Sequence, residues 1–186
     1  SKLAVAVFGA YFKVQSMAFM PVFGLNNGMI PIISYNYGAQ KPDRMKRTMK
    51  LGVMVGCSIM VFCLAIMQVF PGQILKIFDA TDEMLLMGIP AVRIMSTAFI
   101  FAGFSVTCSG MFQAVGKGVY SMIVSMARQL FVILPVAYFL SKAMNSVNGV
   151  WAAFPIAEVF SVIISTIFLL RVYKKIVKPM ESVQRD

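Results

Sequence analysis

Few side chains in this sequence can do chemistry. There is no histidine, and Asp and Glu together number 7. No pair of carboxylates falls within one apolar segment, and no HExxH, P-loop or GxSxG pattern occurs, so general acid–base or nucleophilic catalysis lacks its parts. Cys57, Cys63 and Cys108 stand singly in apolar stretches without CxxC spacing. They read as small buried hydrophobes, not as a metal site or a disulfide framework. What remains is a set of three ionisable residues deep inside apolar runs: Arg93, Arg128 and Glu158. Each lies about nine or ten residues into its run, roughly 13 to 15 Å at helical rise, which is close to mid-membrane. A charge at that depth is costly unless it is paired or functional. Glu158, Ser161 and Ser165 are spaced i, i+3, i+7, which puts a carboxylate and two hydroxyls on one helix face. Two readings follow. Glu158 either forms a fixed ion pair with Arg93 or Arg128 that holds helices together, or takes up and releases a proton or attracts a cation.

The second chemical feature is Pro21-Val22-Phe23-Gly24-Leu25-Asn26-Asn27-Gly28-Met29-Ile30-Pro31. Proline removes a backbone donor and clashes one turn back, so a helix here is expected to kink or partly unwind. The freed carbonyls and the Asn26 and Asn27 amides then need partners in hydrocarbon. Broken helices with polar groups at mid-depth build substrate and ion sites in secondary transporters; equally, the asparagines can bond to neighbouring helices while the prolines only shape the chain. Lys13 lies far enough up the same run to snorkel to an interface.

The elements that must position these residues follow from composition. The 186 residues are 59% hydrophobic and 13% charged, with a formal charge of +10 and a mean hydropathy of +0.81. Soluble domains are roughly 45 to 50% apolar and about 25% charged, so the bilayer must be the solvent for much of this chain. Aromatics lie inside apolar runs rather than between basic residues, which argues against nucleic acid as a partner. Five apolar segments read as spanning helices: 3–35, 49–70, 84–112, 119–140 and 150–172. Between them stand the turn signals of residues 38–44, Pro71-Gly72, Gly116-Lys117-Gly118 and Asn145-Ser146-Val147-Asn148-Gly149. No segment alternates with period two for long enough to suggest a membrane barrel. The fold class is an all-α polytopic membrane bundle.

Charge sets the orientation. The first connection carries a net +4, the second a net −2, and the tail a net +3. With five spans the basic connection and the basic tail share a side, assigned to the cytoplasm, and residue 1 lies outside. The apolar run after Lys2 lacks a clean cleavage context for a signal peptide. Because the chain begins at Ser1, further spans are expected before it. Gly52-x-x-x-Gly56, together with Ser96, Gly103, Thr107 and Gly110, would let helices approach closely, and the 16 Met and 16 Phe would fill the bundle or line an adaptable cavity.

The segment from Pro21 to Pro31, followed by Tyr35-Asn36-Tyr37-Gly38-Ala39 and Arg44, resembles the C-terminal half of the multidrug and toxic compound extrusion (MATE) transporters, especially bacterial ones. Gln113 to Lys117 and Trp151 to Glu158 are similar to the same family. The resemblance implies a twelve-helix transporter of two six-helix lobes, with these five spans as helices eight to twelve of the C-terminal lobe. The N-terminal lobe and one further helix would lie outside this chain. It also implies a multi-pass protein of the bacterial plasma membrane that exports bulky organic cations or drugs by proton- or sodium-coupled antiport. Asn26, Asn27, Glu158, Arg93 and Arg128 are the candidates for substrate binding or coupling. The family's coupling carboxylates have no counterpart here: the span resembling helix ten holds no interior acid, only Arg93. The coupling ion, H+ or Na+, is therefore expected to bind mainly in the missing half, and no other cofactor is expected. The partners are the drug, the bilayer and the missing lobe. Alternatives are an exporter of lipid-linked oligosaccharide or polysaccharide from a related family, with a larger and more charged cavity, and a non-transporting membrane subunit.

Overall fold

The computed structural model describes residues 2–144 and 148–183, all but a few turn residues of them helical. Residues 145–147, part of the turn read before the fifth span, lie outside the described residues. Helix α1 (Lys2–Gly38) has 37 residues and is roughly 55 Å long, so it must tilt or project beyond a hydrocarbon core of about 30 Å. It ends where Gln40 adopts φ 54° and Pro42 opens α2 (Pro42–Val69) at a first-turn position that needs no N–H. A second proline, Pro71, starts the short α3 (Pro71–Ile77). Thr81 then caps α4 (Asp82–Ser96), its hydroxyl accepting the Met84 N–H, while Asp82 and Glu83 complement the positive end of the helix dipole. The remaining helices are α5 (Phe99–Ala114), α6 (Gly118–Met126), α7 (Leu134–Met144), α8 (Asn148–Val172) and α9 (Lys178–Val183). Two π-helical segments, Ala127–Ile133 and Tyr173–Val177, join α6 to α7 and α8 to α9 without a break.

Among the described residues four of these rods are long and apolar enough to cross a membrane, and α4 with α5 passes the same test as a pair bent by 48°, which brings the number to five when the pair is counted as one span. Five is the upper count and matches the five segments read from the sequence, but the break in the helical ladder falls elsewhere than the unwinding expected between Pro21 and Pro31. The first span, with Pro21 and Pro31 inside it, stays helical throughout. A proline deletes one hydrogen bond, and the turns on either side carry the helix past it. The third span, read as continuous over 84–112, breaks at Thr97–Ala98 instead. There Thr97 N–H and Ala98 N–H bond back only three residues, and Gln68 from α2 reaches in, its Nε2 donating to the Arg93 carbonyl at 2.8 Å and to Ser96 Oγ at 3.0 Å. A side chain inserted into the helical ladder is a known cause of such bends.

Helix α1 packs on α2, α4 and α5; α5 packs on α2 and α8; and the α6–α7 rod packs mainly on α8. Where α2 crosses α5, a Cβ on Gly103 would lie 3.0 Å from both Cys57 Cα and the Gly56 carbonyl oxygen. The small residues read as packing signals therefore allow near backbone contact. Phe62, Phe131 and Phe139 stay exposed, as a lipid-facing surface requires.

The buried apolar residues fall into two clusters. One gathers Tyr11, Val22, Met60, Met67, Met95, Phe99 and Trp151; the other gathers Met29, Ile33, Met45, Phe112, Phe168 and Val172. Between them on α1 lies Asn26, on α5 Ser105 and Thr107, and on α8 Glu158, Ser161 and Ser165, all buried. The bundle is thus two greasy ends separated by a polar layer at mid-depth.

Candidate transport cavity

The polar layer opens into a cavity of about 610 Å³. Helix α1 forms one side through Phe12, Gln15, Phe19, Phe23, Asn26 and Asn27. Opposite stands the α6–α7 rod, contributing Ser121, Ser125, Arg128 and Gln129, while α5 and α8 close the back with Ser105, Ser109, Gln113, Phe154 and Glu158. Four of the five sequence candidates therefore line one cavity: Asn26, Asn27, Arg128 and Glu158. Arg93 does not join them. It sits exposed on α4, and the part of it that bonds is its backbone carbonyl.

The ion pair left open between two arginines is with Arg128. Its Nη1 donates to Glu158 Oε1 at 2.8 Å, with 28% of the Arg128 side chain and 8% of the Glu158 side chain exposed. Arg128 is the second residue of the π-helical segment Ala127–Ile133. Single π turns occur often at functional sites because they rotate the side chains that follow. Glu158 Oε2, Ser105 Oγ, Ser161 Oγ and Ser165 Oγ have no hydrogen-bond partner among the described residues. The Glu158–Ser161–Ser165 stripe is one buried face, but only Glu158 lines the cavity; the two serines point into the packed bundle.

The two asparagines divide their work. Asn26 is buried and donates from Nδ2 to the Val106 carbonyl at 2.8 Å, tying α1 to α5, while its Oδ1 has no partner among the described residues. It fits because Gly110 leaves space: a Cβ there would come within 2.8 to 3.1 Å of the Asn26 amide. Asn27, one residue on, is exposed at the cavity surface. Lys13 lies level with the α3–α4 turn, its Nζ 5.9 Å from the centre of the Phe78 ring, which suits an interfacial lysine better than a site residue.

Reading by residue type missed two polar stripes that line the cavity. Ser105, Ser109 and Gln113 on α5, and Ser121, Ser125 and Gln129 on the rod, each follow i, i+4, i+8 spacing. Ser121 Oγ donates to the Ser109 carbonyl at 2.8 Å where the stripes meet. Helical periodicity of small polar residues inside apolar spans was the signal available.

The scaffold and the site together define a polytopic, all-helical membrane protein with a polar cavity lined by α1, α5, α8 and the α6–α7 rod. The MatE family matches residues 1–139. The chain belongs to this family of multidrug and toxic compound extrusion transporters, and the family is one of transporters, not enzymes. Among curated proteins it is similar to the multidrug export protein MepA of Staphylococcus haemolyticus, with 26% identity over 149 residues, covering 80% of this chain and 32% of that one. It therefore spans about a third of the length of the curated relatives it matches. Among solved structures it is similar to the MATE multidrug transporter DinF-BH, at 32% identity and a TM-score of 0.81, covering 92% of this chain and 38% of that one. A multidrug resistance MATE family transporter in an outward-facing conformation shares the fold at 19% identity and a TM-score of 0.87, covering 97% of this chain and 40% of that one.

Proposed function

We propose that this chain forms most of the C-terminal lobe, five of six helices, of a bacterial plasma-membrane exporter. The exporter moves bulky organic cations or drugs outward while H+ or Na+ flows in, by alternating access of two lobes. The observation that carries this reading is the cavity of about 610 Å³ that brings Asn26, Asn27, Arg128 and Glu158 to one surface. Its size falls within the range of roughly 300 to 1,000 Å³ typical of pockets for drug-sized ligands. Phe12, Phe19, Phe23 and Phe154 offer apolar faces for a planar organic group. Glu158, with one oxygen on Arg128 and the other without a protein partner among the described residues, offers a hydrogen-bond acceptor to a polar or cationic group of the substrate.

The missing helix and the other lobe complete the cavity, which is walled on facing sides by α1 and the α6–α7 rod. The coupling ion binds mainly in the part of the transporter outside this chain. Lys46 on α2 pairs with Glu181 on α9, so the basic connection and the basic tail meet at one end of the bundle; we assign that end to the cytoplasm, which makes the C-terminus cytoplasmic. Polysaccharide export is less well supported, because the cavity's charges are one internally neutral pair.

The test is export of a fluorescent organic cation, ethidium, from vesicles containing the complete transporter, under an imposed proton or sodium gradient. Export under either gradient is expected. Its absence under both would leave a non-transporting membrane subunit as the better reading. Glu158→Gln should then reduce cation export. If Glu158→Gln exports normally but is less stable, the ion pair serves assembly alone.

A further inference from the structure

On the outer face of the bundle, α2, α5 and α8 enclose a second hollow, an apolar groove of about 420 Å³. It begins at the basic end with Lys46 and Lys50 and deepens along Met49, Val53 and Met54 of α2. Phe104 and Met111 of α5 make its floor, and Leu169, Leu170, Tyr173 and Val177 make the opposing wall. Along α2 the groove runs from residue 46 to residue 54, and along α8 and its π-helical extension from 169 to 177. Each wall therefore rises about 12 Å, against a hydrocarbon leaflet of about 15 Å. The groove thus reaches through most of one leaflet.

The two lysines at its mouth differ. Lys46 is already neutralised, its Nζ held by Asp43 at 2.9 Å and by Glu181. That contact pins α9 against α2 and fixes the rim, and Tyr173 donates its hydroxyl to the other Glu181 oxygen. Lys50, one helical turn deeper, has no ion pair among the described residues, and its long apolar stem lets the ammonium reach the headgroup level. The surrounding surface is strongly basic, with Lys41, Arg44 and Arg47 on one side and Lys174, Lys175 and Lys178 on the other.

We propose that this groove holds one anionic phospholipid of the leaflet at the basic end. Its acyl chain lies along Met54, Phe104 and Leu170, and its phosphate sits on Lys50. Basic pockets between spanning helices on the cytoplasmic side recognise anionic headgroups by this combination of apolar slot and unpaired cation. Lys46 positions the rim and Lys50 binds. The proposal is independent of what the transporter exports.

The test is native mass spectrometry of the complete, delipidated transporter titrated with phosphatidylglycerol or with phosphatidylcholine of the same chains. Phosphatidylglycerol should be retained several-fold more strongly. Lys50→Gln should weaken that retention about five-fold while leaving phosphatidylcholine unchanged. Leu170→Trp, which fills the groove, should weaken both lipids, and thermal unfolding checks that both variants remain folded. Equal retention of the two lipids, or an unchanged preference in Lys50→Gln, overturns the proposal. So does retention of glycerol phosphate as strong as that of the lipid, which would make the site one for free phosphate. A groove closed in the complete protein by another segment of its own chain would show as no lipid retained and no response to Leu170→Trp, and that too refutes it.

Discussion

Replacing Arg128 by leucine should damage this protein more than replacing Glu158 by glutamine, although the two substitutions break the same 2.8 Å contact. The asymmetry comes from burial. Glu158 has 8% of its side chain exposed and Arg128 28%, the latter opening into the cavity. At an effective dielectric near 20, opposite charges about 4 Å apart attract by about 4 kcal/mol, an amount largely offset by the cost of removing both from water. Without Arg128 that offset is lost, and a buried carboxylate is left uncompensated, which typically costs about 3 to 5 kcal/mol. Without the Glu158 charge, the guanidinium can turn into the cavity and keep water, so the loss should be nearer about 1 kcal/mol. The difference, at least about 2 kcal/mol, corresponds to roughly 4 to 8 °C in melting temperature if the lobe unfolds as its own unit, and to less if the complete transporter unfolds as one. Thermal unfolding of the complete transporter, followed by intrinsic fluorescence, measures it. The double variant Arg128→Leu/Glu158→Gln should recover part of the loss seen with Arg128→Leu alone. Equal shifts for the two single variants, or strictly additive effects in the double, would refute the burial argument.

Other substitutions separate packing from transport. Gly103→Ala places a methyl 3.0 Å from the α2 backbone, which has no flexible side chain to yield; it should cost about 1 to 3 kcal/mol in the same unfolding assay. Gly110→Val should push Asn26 off the Val106 carbonyl and lower both stability and export. Asn26→Leu loses that bond, about 1 kcal/mol, and should impair folding and export together, whereas Asn27→Leu should leave the melting temperature unchanged and lower substrate affinity in a binding titration. An unchanged affinity for Asn27→Leu would argue that the exposed amide plays no part in the cavity.

The helices themselves were legible in the residues, and so was the all-helical membrane bundle, because both depend on sums along the chain. The small-residue signals did mark places of close approach, Gly56, Gly103 and Thr107 where α2 meets α5 and Gly52 and Gly110 against α1. The break was not legible. Two prolines in α1 outweighed anything visible near Thr97, yet α1 stays helical and the third span bends, because Gln68, from another helix, reaches the Ser96 region and bonds the freed Arg93 carbonyl. The ends of the spans were also blurred. Helix α2 starts at Pro42 among charged residues that a hydropathy reading cuts away, and the last helix continues past Val172 through a π-helical turn to Val183. The serine and glutamine stripes of the cavity wall were present in the sequence and went unread, since each residue alone is ordinary inside an apolar span.

Sequence by itself determined that this protein lives in a bilayer, that it is helical, and that its basic connection and basic tail belong on one side. Those properties follow from hydrophobicity and charge, which add residue by residue. Only the tertiary structure decided that Glu158 pairs with Arg128 and not with Arg93, that Asn26 braces α5 while Asn27 faces the cavity, and that Asn26, Ser105 and Glu158 come together between two apolar clusters. Each of these depends on the rotation and depth of one helix relative to another. A helix turns by about 100° per residue, so an uncertainty of two residues in register is enough to carry a side chain from the cavity to the lipid. Packing removes that uncertainty.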